Sequence, residues 1–514
     1  MILIAKKYWP LLVLLLCCVV LVWGIDTIPI ILWDESLYSV NAIEMLHSGN
    51  WNVHYYDGEI DYYNLKPPFF TQLRALSFHL FGYSYWVHRL PSAVFSCLTV
   101  CLTYVAARHF TKSNKWALLA AVFLTIAPAY NTLHATKGGE YDAMMTFFML
   151  GYVLSFLRAL ETNLFKWRFF TILLMGAAFY VKSIAGLFFM PGMMVAIVWY
   201  RREWLIERNN WLMIGLFLFF PIIYYGYIYF AVPGYLEAIY HHHFTRFGNT
   251  LNDNPLPWYH YLKSPSVLPY YVPSLLLTVF LMVKQVSVPK WIIQAQILVL
   301  FFLILISSSA TKHGFYTVAI FPVASIVLCY LFYKILALQK AKIISRGLNI
   351  GVVFCSIVAL HFTFAKANHY VRYYNRSYPI DYTKQLLSGN VLMKPEANEV
   401  NYGEDARIYY NEARDWFEDD KPSRLVIFAK DLHVPNSEGY NPLLMFYVDY
   451  WRLEKGMTVD LAVDIQQIDV GDVVLCSELD KLLVLKNKFQ LQRLKQSNHC
   501  YLYEVKAFRD SNTR

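Results

Sequence analysis

The chain reads as a polytopic α-helical membrane protein with a soluble α/β domain at its C-terminal end, and three observations carry that reading. Of the 514 residues, 57% are hydrophobic and only 16% are charged, well under the roughly 25% charged of an average soluble domain. Apolar runs long enough for a hydrocarbon core of about 30 Å recur along the chain as far as residue 366. Beyond residue 370 the hydropathy falls, and short strand-like runs alternate with a helical stretch.

About eleven transmembrane helices follow, over 8–32, 90–107, 116–130, 143–160, 169–181, 184–200, 211–231, 267–283, 291–306, 315–336 and 348–366. Only Lys182 and Ser183 separate the fifth from the sixth. The first run, with Lys6 and Lys7 ahead of it, has the form of a secretory signal. It lacks a small-x-small cleavage site and more spans follow, so it reads as an uncleaved anchor. Basic clusters fall in every second connection: Lys6 and Lys7; Arg108, Lys112 and Lys115; Arg158, Lys166 and Arg168; Arg201, Arg202 and Arg208; Lys284 and Lys290; Lys334, Lys340, Lys342 and Arg346. The positive-inside rule puts these in the cytoplasm and sets the orientation of a multi-pass membrane protein. The net charge of +9 comes from these clusters rather than from one basic patch, so no nucleic-acid partner is implied.

The other connections then face outward, and an odd number of spans places the C-terminal domain outside as well. The expected division is a membrane domain over 1–369 and an extracytoplasmic soluble α/β domain over 370–514. Strand-like runs in the latter are 425–428, 472–476 and 481–485, with a helical stretch at 441–451. The outward loop 33–89 holds two amphipathic stretches, 35–47 and 69–81, expected to lie along the membrane surface. Six of the eight cysteines (Cys17, Cys18, Cys97, Cys101, Cys329, Cys355) lie in apolar runs without metal-ligand spacing, where a thiol serves as a small hydrophobe. Cys476 and Cys500 lie in the polar domain, where a disulfide is an open alternative.

The residues that draw attention lie in the outward segments. Asp34 and Glu35 follow the first span directly, where an ionisable pair must be hydrated, paired or used. Lys66-Pro67-Pro68 comes next, then Glu140-Tyr141-Asp142 at the start of the fourth span, His241-His242-His243-Phe244-Thr245-Arg246-Phe247, and Thr311-Lys312-His313-Gly314-Phe315-Tyr316. No P-loop or dinucleotide fingerprint occurs in a strand-to-helix setting.

Asp34-Glu35, Met45-Leu46-His47-Ser48-Gly49-Asn50-Trp51, Lys66-Pro67-Pro68, Leu80-Phe81-Gly82 and Arg89-Leu90-Pro91-Ser92-Ala93 together resemble the N-terminal signature of the GT-C membrane glycosyltransferases, in particular the aminoarabinose transferase and protein O-mannosyltransferase group. The resemblance covers most of the membrane part. It implies a GT-C-type fold, a polyprenyl-phosphate-linked sugar donor such as an undecaprenyl phosphate sugar, and transfer at the outer face to a lipid, glycan or protein acceptor. Lipid A modification is one such reaction. Because a lipid phosphate is already a good leaving group, such an enzyme needs a base for the acceptor and cations for the phosphate.

On that footing Asp34 is the candidate base, and Glu35 supports the acceptor or the start of its helix; the bland alternative makes both an N-cap and a first-turn carboxylate. Asp142 is the third catalytic candidate and Glu140 an acceptor-side or supporting residue; either could orient the acceptor, bind a metal or pair with Lys137. Lys66, Arg246, Lys312 and Tyr316 are the candidates for the donor phosphate, with His243 beside Arg246 as a supporting residue. Where the group often has an acidic residue before the lysine, Leu65 stands here, with Asn64 and Asp61 nearby. No cofactor is required by the sequence; a divalent metal ion is an open alternative with no ligand set assigned. The competing class is a lipid-linked sugar carrier or flippase that breaks no bond, although such proteins tend to place ionisable groups near mid-bilayer and to show repeats.

Overall fold

The computed structural model describes the chain apart from residues 1, 27–29, 31–33, 128, 132, 249–255, 339–413, 418–421, 429–441, 463, 477–478, 498–499 and 510–514. Six described helices are long and apolar enough to cross a membrane: α4 (Tyr85–Thr111), α6 (Tyr141–Thr162), α7 (Phe165–Lys182, continued by a 3-10 turn to Leu187), α9 (Arg208–Ala231), α12 (Lys290–Ser308) and α13 (Ile320–Leu338). Four apolar helices are shorter by length of apolar run: α1 (Ile2–Val22), α5 (Asn114–Thr125), α8 (Met190–Tyr200) and α11 (Leu268–Val283). Ten of the expected spans thus coincide with helices, several of them short, while the expected span at 348–366 and the boundary near 370 lie outside the described residues.

Helix composition explains the layering. α13 buries twelve consecutive residues from Ile320 to Leu331, as a helix apolar on every side does at the centre of a bundle. By contrast α9 leaves Trp211, Phe219, Ile222, Tyr229 and Phe230 exposed, an apolar surface suited to lipid.

Between α1 and α4 the chain builds a separate layer at one end of the bundle: α2 (Asp34–Ser48), a two-stranded hairpin of β1 (Tyr55–Tyr56) and β2 (Glu59–Ile60), and α3 (Phe69–Phe81). α3 is two-faced, with Phe70, Arg74 and Phe78 buried and Leu76, Leu80 and Phe81 exposed. α2 is not a surface helix. Every residue from Glu35 to Met45 is buried, because α3 covers one side and a helix of the C-terminal part, α14 (Pro442–Asp449), covers another. The apparent polar stripe of α2 consists of groups with partners inside the protein.

The described C-terminal segments form a five-stranded sheet of β3 (Leu425–Phe428), β4 (Val459–Ala462), β5 (Val473–Cys476), β6 (Phe489–Ser497) and β7 (Cys500–Phe508), in the order β4-β3-β5-β7-β6. β3 pairs in parallel with β4 and β5, and the last two strands run antiparallel. All four residues of β3 are buried, as a central parallel strand requires. The run at 481–485 is not a strand: it lies in α15 (Leu479–Lys488), where Leu482 and Leu485, three apart, share the buried side and Leu483 and Val484 are exposed. Cys476 is buried in β5 in register with Tyr501; the side chain of Cys500 lies outside the described residues.

Candidate active site

The site forms where the start of α2, the turn before α3, the loop before α6 and the end of α7 meet at one end of the bundle. Asp34 opens α2 and is half-buried. Its carboxyl interacts with the Tyr38 hydroxyl one turn on, and Lys66, His134 and Lys182 surround it. Burial alone would raise its pKa, but these cations and the hydroxyl win and hold it below the ordinary carboxylate value. Asp34 is therefore an anion in a cleft of positive charge.

Glu35 points the other way. Its two oxygens are gripped by the Arg89 fork, Nε to Oε1 at 2.6 Å and Nη2 to Oε2 at 2.8 Å, with both side chains fully buried. Oε1 also accepts the Gly139 amide at 2.8 Å, and the Glu35 carbonyl accepts Arg74 Nη1 at 2.9 Å. Arg74 Nη2 in turn donates to the Gly139 carbonyl. Only glycine fits here: a Cβ at residue 139 would overlap the Arg74 guanidinium and stand 2.8 Å from the His88 carbonyl oxygen. Glu35 thus locks the α6 loop against α2.

That loop delivers three groups. His134, in a π-helical turn over Leu133–Lys137, places Nδ1 3.5 Å from Glu140 Oε1. Glu140 is the N-cap of α6, in extended backbone, and its pKa is pushed up to about 7, first by burial and then by the charge of Asp34. Burial would lower the His134 pKa, but Glu140, Asp34 and Asp142 around it raise it. Lys137 pairs with neither Glu140 nor Asp142. Its ammonium donates to the Val20, Leu21 and Trp23 carbonyls at 3.2, 3.2 and 2.9 Å, capping the end of α1.

Asp142, in the first turn of α6, is bound by Lys182 at the end of α7, with Nζ 2.8 Å from each carboxylate oxygen. The residue after it, Ser183, holds φ at 50°, a left-handed backbone outside glycine, and this sharp exit ends α7 where Lys182 reaches the cleft.

Lys66 sits over the rings of Tyr38 and Tyr141 at 4.8 and 5.3 Å and donates to Asn64 Oδ1 at 3.2 Å. Asp61 does not stand in for an acidic neighbour of Lys66: Oδ2 accepts Asn41 Nδ2 at 2.8 Å and Oδ1 the amides of Tyr63 and Asn64 at 2.7 and 3.1 Å. From the far side the loop before α13 adds Phe315, stacked on His134 at 4.3 Å and under the Lys182 ammonium at 5.8 Å. Tyr316 lies close enough to Lys182 to interact with it electrostatically. Lys312 is turned to the Ser309 carbonyl at 2.5 Å and is half-buried. His243 and Arg246 lie on helix α10 (Tyr235–Gly248), and their side chains lie outside the described residues.

The structure therefore brings together Asp34, Lys66, Glu140, Asp142 and Tyr316, and adds His134 and Lys182, which sequence reasoning passed over. His134 had a signal in its place within an outward loop eight residues before Asp142; Lys182 read only as the turn between two spans. One ligand atom each from Asp34, His134 and Glu140 lies within 4.8 Å of the others. An imidazole and two carboxylates suit a divalent ion, and His134 Nδ1 makes no hydrogen bond, so the donor set fits a metal.

Layer and cleft belong to a bundle of apolar helices, several of them long enough to cross a membrane, and known proteins share parts of this sequence and its fold. Residues 65–225, which include Lys66, His134, Glu140, Asp142 and Lys182, match the family model for dolichyl-phosphate-mannose-protein mannosyltransferase. In solved structures the fold is that of ArnT from Cupriavidus metallidurans bound to undecaprenyl phosphate, with a TM-score of 0.63, 17% identity and coverage of 96% of this chain and 97% of that one. The apo state of the same protein gives a TM-score of 0.62 at 15% identity, covering 97% and 98%. An uncharacterized protein of Aquifex aeolicus (strain VF5) is 31% identical over 116 residues, a match spanning 23% of this chain and only 22% of that relative.

Proposed function

We propose that the chain is a glycosyltransferase that moves a sugar from a polyprenyl-phosphate donor to an acceptor at the extracytoplasmic face of the inner membrane. One observation carries the reading: an ionised carboxylate, Asp34, flanked by two lysines from separate elements, Lys66 and Lys182, at one end of the helix bundle. The lysines supply the point charges that a phosphate needs, and Tyr316 a hydroxyl donor beside them; Lys312 and Arg246 are the further cations proposed from the sequence. The undecaprenyl phosphate bound to ArnT, whose fold is shared, supports a donor of this class.

In the proposed reaction the acceptor oxygen attacks the anomeric carbon, the carbon–oxygen bond to phosphate breaks, and polyprenyl phosphate leaves with the bonding electrons. Asp34 takes the acceptor proton. Its lowered pKa makes it a weak base, so it acts late, as the new bond acidifies the attacking hydroxyl, and much of the rate comes from orientation. Single displacement from the side opposite the phosphate inverts the anomeric centre. Asp142, held by Lys182, shapes the acceptor side, and Glu35 positions the cleft through Arg89 and Gly139. A divalent ion, if the protein carries one, would be held by Asp34, His134 and Glu140 and would supply Lewis-acid neutralisation of the phosphate charge.

The test is release of polyprenyl phosphate from a lipid-linked sugar by purified protein in detergent. Release that stops with Asp34→Asn supports the proposal; movement of intact lipid-linked sugar across a bilayer with no bond cleavage would replace it with a carrier.

A further inference from the structure

The C-terminal part reaches toward the cleft through one histidine. His88, in the first turn of α4, meets two rings edge to face: Phe78 of α3 at 4.7 Å and Phe446 of α14, the helix that packs on α2, at 4.8 Å. Its Nδ1 is 2.9 Å from Ser39 Oγ. His88, Phe78, Phe446 and Ser39 are all buried.

Counting protons fixes the direction of that bond. The Ser39 hydroxyl has one proton and gives it to the Glu35 carbonyl at 2.7 Å, while its oxygen accepts Arg74 Nη1 at 2.9 Å. His88 Nδ1 therefore carries a hydrogen and donates. The same Arg74 nitrogen bonds the Glu35 carbonyl at 2.9 Å, and Nη2 bonds the Gly139 carbonyl. All three acceptors of this buried guanidinium are uncharged, so its planar fork acts as a spacer between the start of α2 and the loop before α6. Contacts thus run from Phe446 through His88, Ser39 and Arg74 to Gly139.

We propose that His88 is a positioning residue through which α14 of the C-terminal part sets the spacing of Asp34 and Glu140 across the cleft. The inference rests on the reaction proposed above. The two carbonyls held by Arg74 belong to Glu35 and Gly139, the immediate neighbours of Asp34 and Glu140. Displacement of a reacting group by about 1 Å can lower a rate by roughly 100-fold, which gives leverage to a contact this far from the chemistry. The C-terminal part then serves as a wall that keeps the cleft in working geometry.

Three variants of the full-length protein in detergent separate the hydrogen bond from the packing. His88→Phe keeps a ring beside Phe78 and Phe446 but removes the N–H; His88→Asn keeps a donor near the Nδ1 position but gives up the ring. Phe446→Leu alters only the α14 side. His88→Phe should lower kcat for polyprenyl phosphate release by roughly ten- to 100-fold, with KM for the lipid-linked donor within about two-fold of wild type. His88→Asn should recover most of that loss. A second readout needs no turnover: hydrogen exchange of the Gly139 amide, which donates to Glu35 Oε1, should quicken in His88→Phe and Phe446→Leu while the amides of α12 keep wild-type rates. Wild-type protein that releases no polyprenyl phosphate would count against the reaction, and the exchange rates would then decide the relay alone; Phe446→Leu decides it if His88→Phe does not fold. Wild-type kcat in His88→Phe, a His88→Asn no better than His88→Phe, or Gly139 exchange unchanged by the variants would overturn the proposal and leave His88 a packing group.

Discussion

Lys182 bonds both carboxylate oxygens of Asp142 at 2.8 Å, across the hairpin of α6 and α7. The pair supplies a cation to the cleft while neutralising a buried acid, so its two roles can be separated. Lys182→Met should destabilise the protein by about 3–5 kcal/mol, because Asp142 is left buried and unpaired. Adding Asp142→Asn should restore the melting temperature but not donor cleavage. A double variant as active as wild type would remove Lys182 from the donor site.

Asp34→Asn keeps the shape and removes the charge. Donor cleavage should fall roughly 100- to 10,000-fold, the range of a lost general base, while the protein binds the lipid-linked donor with little change. Single-turnover release and equilibrium binding, measured side by side, distinguish a chemical role from a binding one. A parallel loss of both would make Asp34 a binding residue.

Glu35 and Arg89 should behave as one structural unit. Glu35→Ala leaves the Arg89 guanidinium buried without its anion, at a cost of about 3–5 kcal/mol. Glu35→Ala with Arg89→Met should recover part of that stability. If thermal melting shows no penalty for Glu35→Ala, the ion pair is not what holds the α6 loop to α2.

The contact between α2 and the C-terminal part should weaken as pH rises. Glu44 of α2 is buried; its pKa is pushed up to about 7, first by burial and then by Asp57, while the Gly58 and Asp57 amides and Asp449 pull it down. Asp449 of α14 is raised as well, by burial and then by Glu44 and Asp57, with Arg452 opposing. Glu44 Oε2 accepts the Gly58 amide at 3.0 Å, whereas Glu44 Oε1 and Asp449 Oδ2 are buried without a hydrogen-bond partner, so a shared proton satisfies both. Arg452 pairs with Asp57 at 3.0 Å, and Glu454 accepts Tyr83 at 2.5 Å and meets His47 at 2.7 Å. Because the folded pKa of Glu44 is raised, its contribution is fully present below the ordinary value of 4.5 and is lost as pH climbs through about 7. Melting temperature or protease resistance between those limits should fall with pH, by up to about 1.4 kcal/mol per pH unit for one proton. Glu44→Gln should flatten the profile; an unchanged slope would place the proton elsewhere.

Much of the bundle was legible because membrane spans announce themselves by length and apolarity, and α3 occupies the stretch 69–81 that its periodicity marked. What misled was local polarity with a distant cause. The polar residues of α2 read as a wet face, yet Asn41 bonds Asp61 and Ser39 bonds His88, contacts set by tertiary structure. The run Leu482-Leu483-Val484-Leu485 fits strand and helix alike, and the packing of α15 decided it. At the site, Asp34, Glu140 and Asp142 were marked by their places beside spans, and Lys66 by the two prolines that follow it. Lys182 was not, because only the packing of α7 back against α6 gives it Asp142 as a neighbour.

The capping of α1 by Lys137 has a bearing on biogenesis. Helix α1 ends in carbonyls that wait for a side chain more than a hundred residues downstream, so that end stays unsatisfied until the loop between α5 and α6 has been made. Cutting α1 away, or fusing a rigid partner at Trp23, would strip the anchor from the loop that carries His134 and Glu140, and the damage would surface at the far end of that loop rather than where the cut was made.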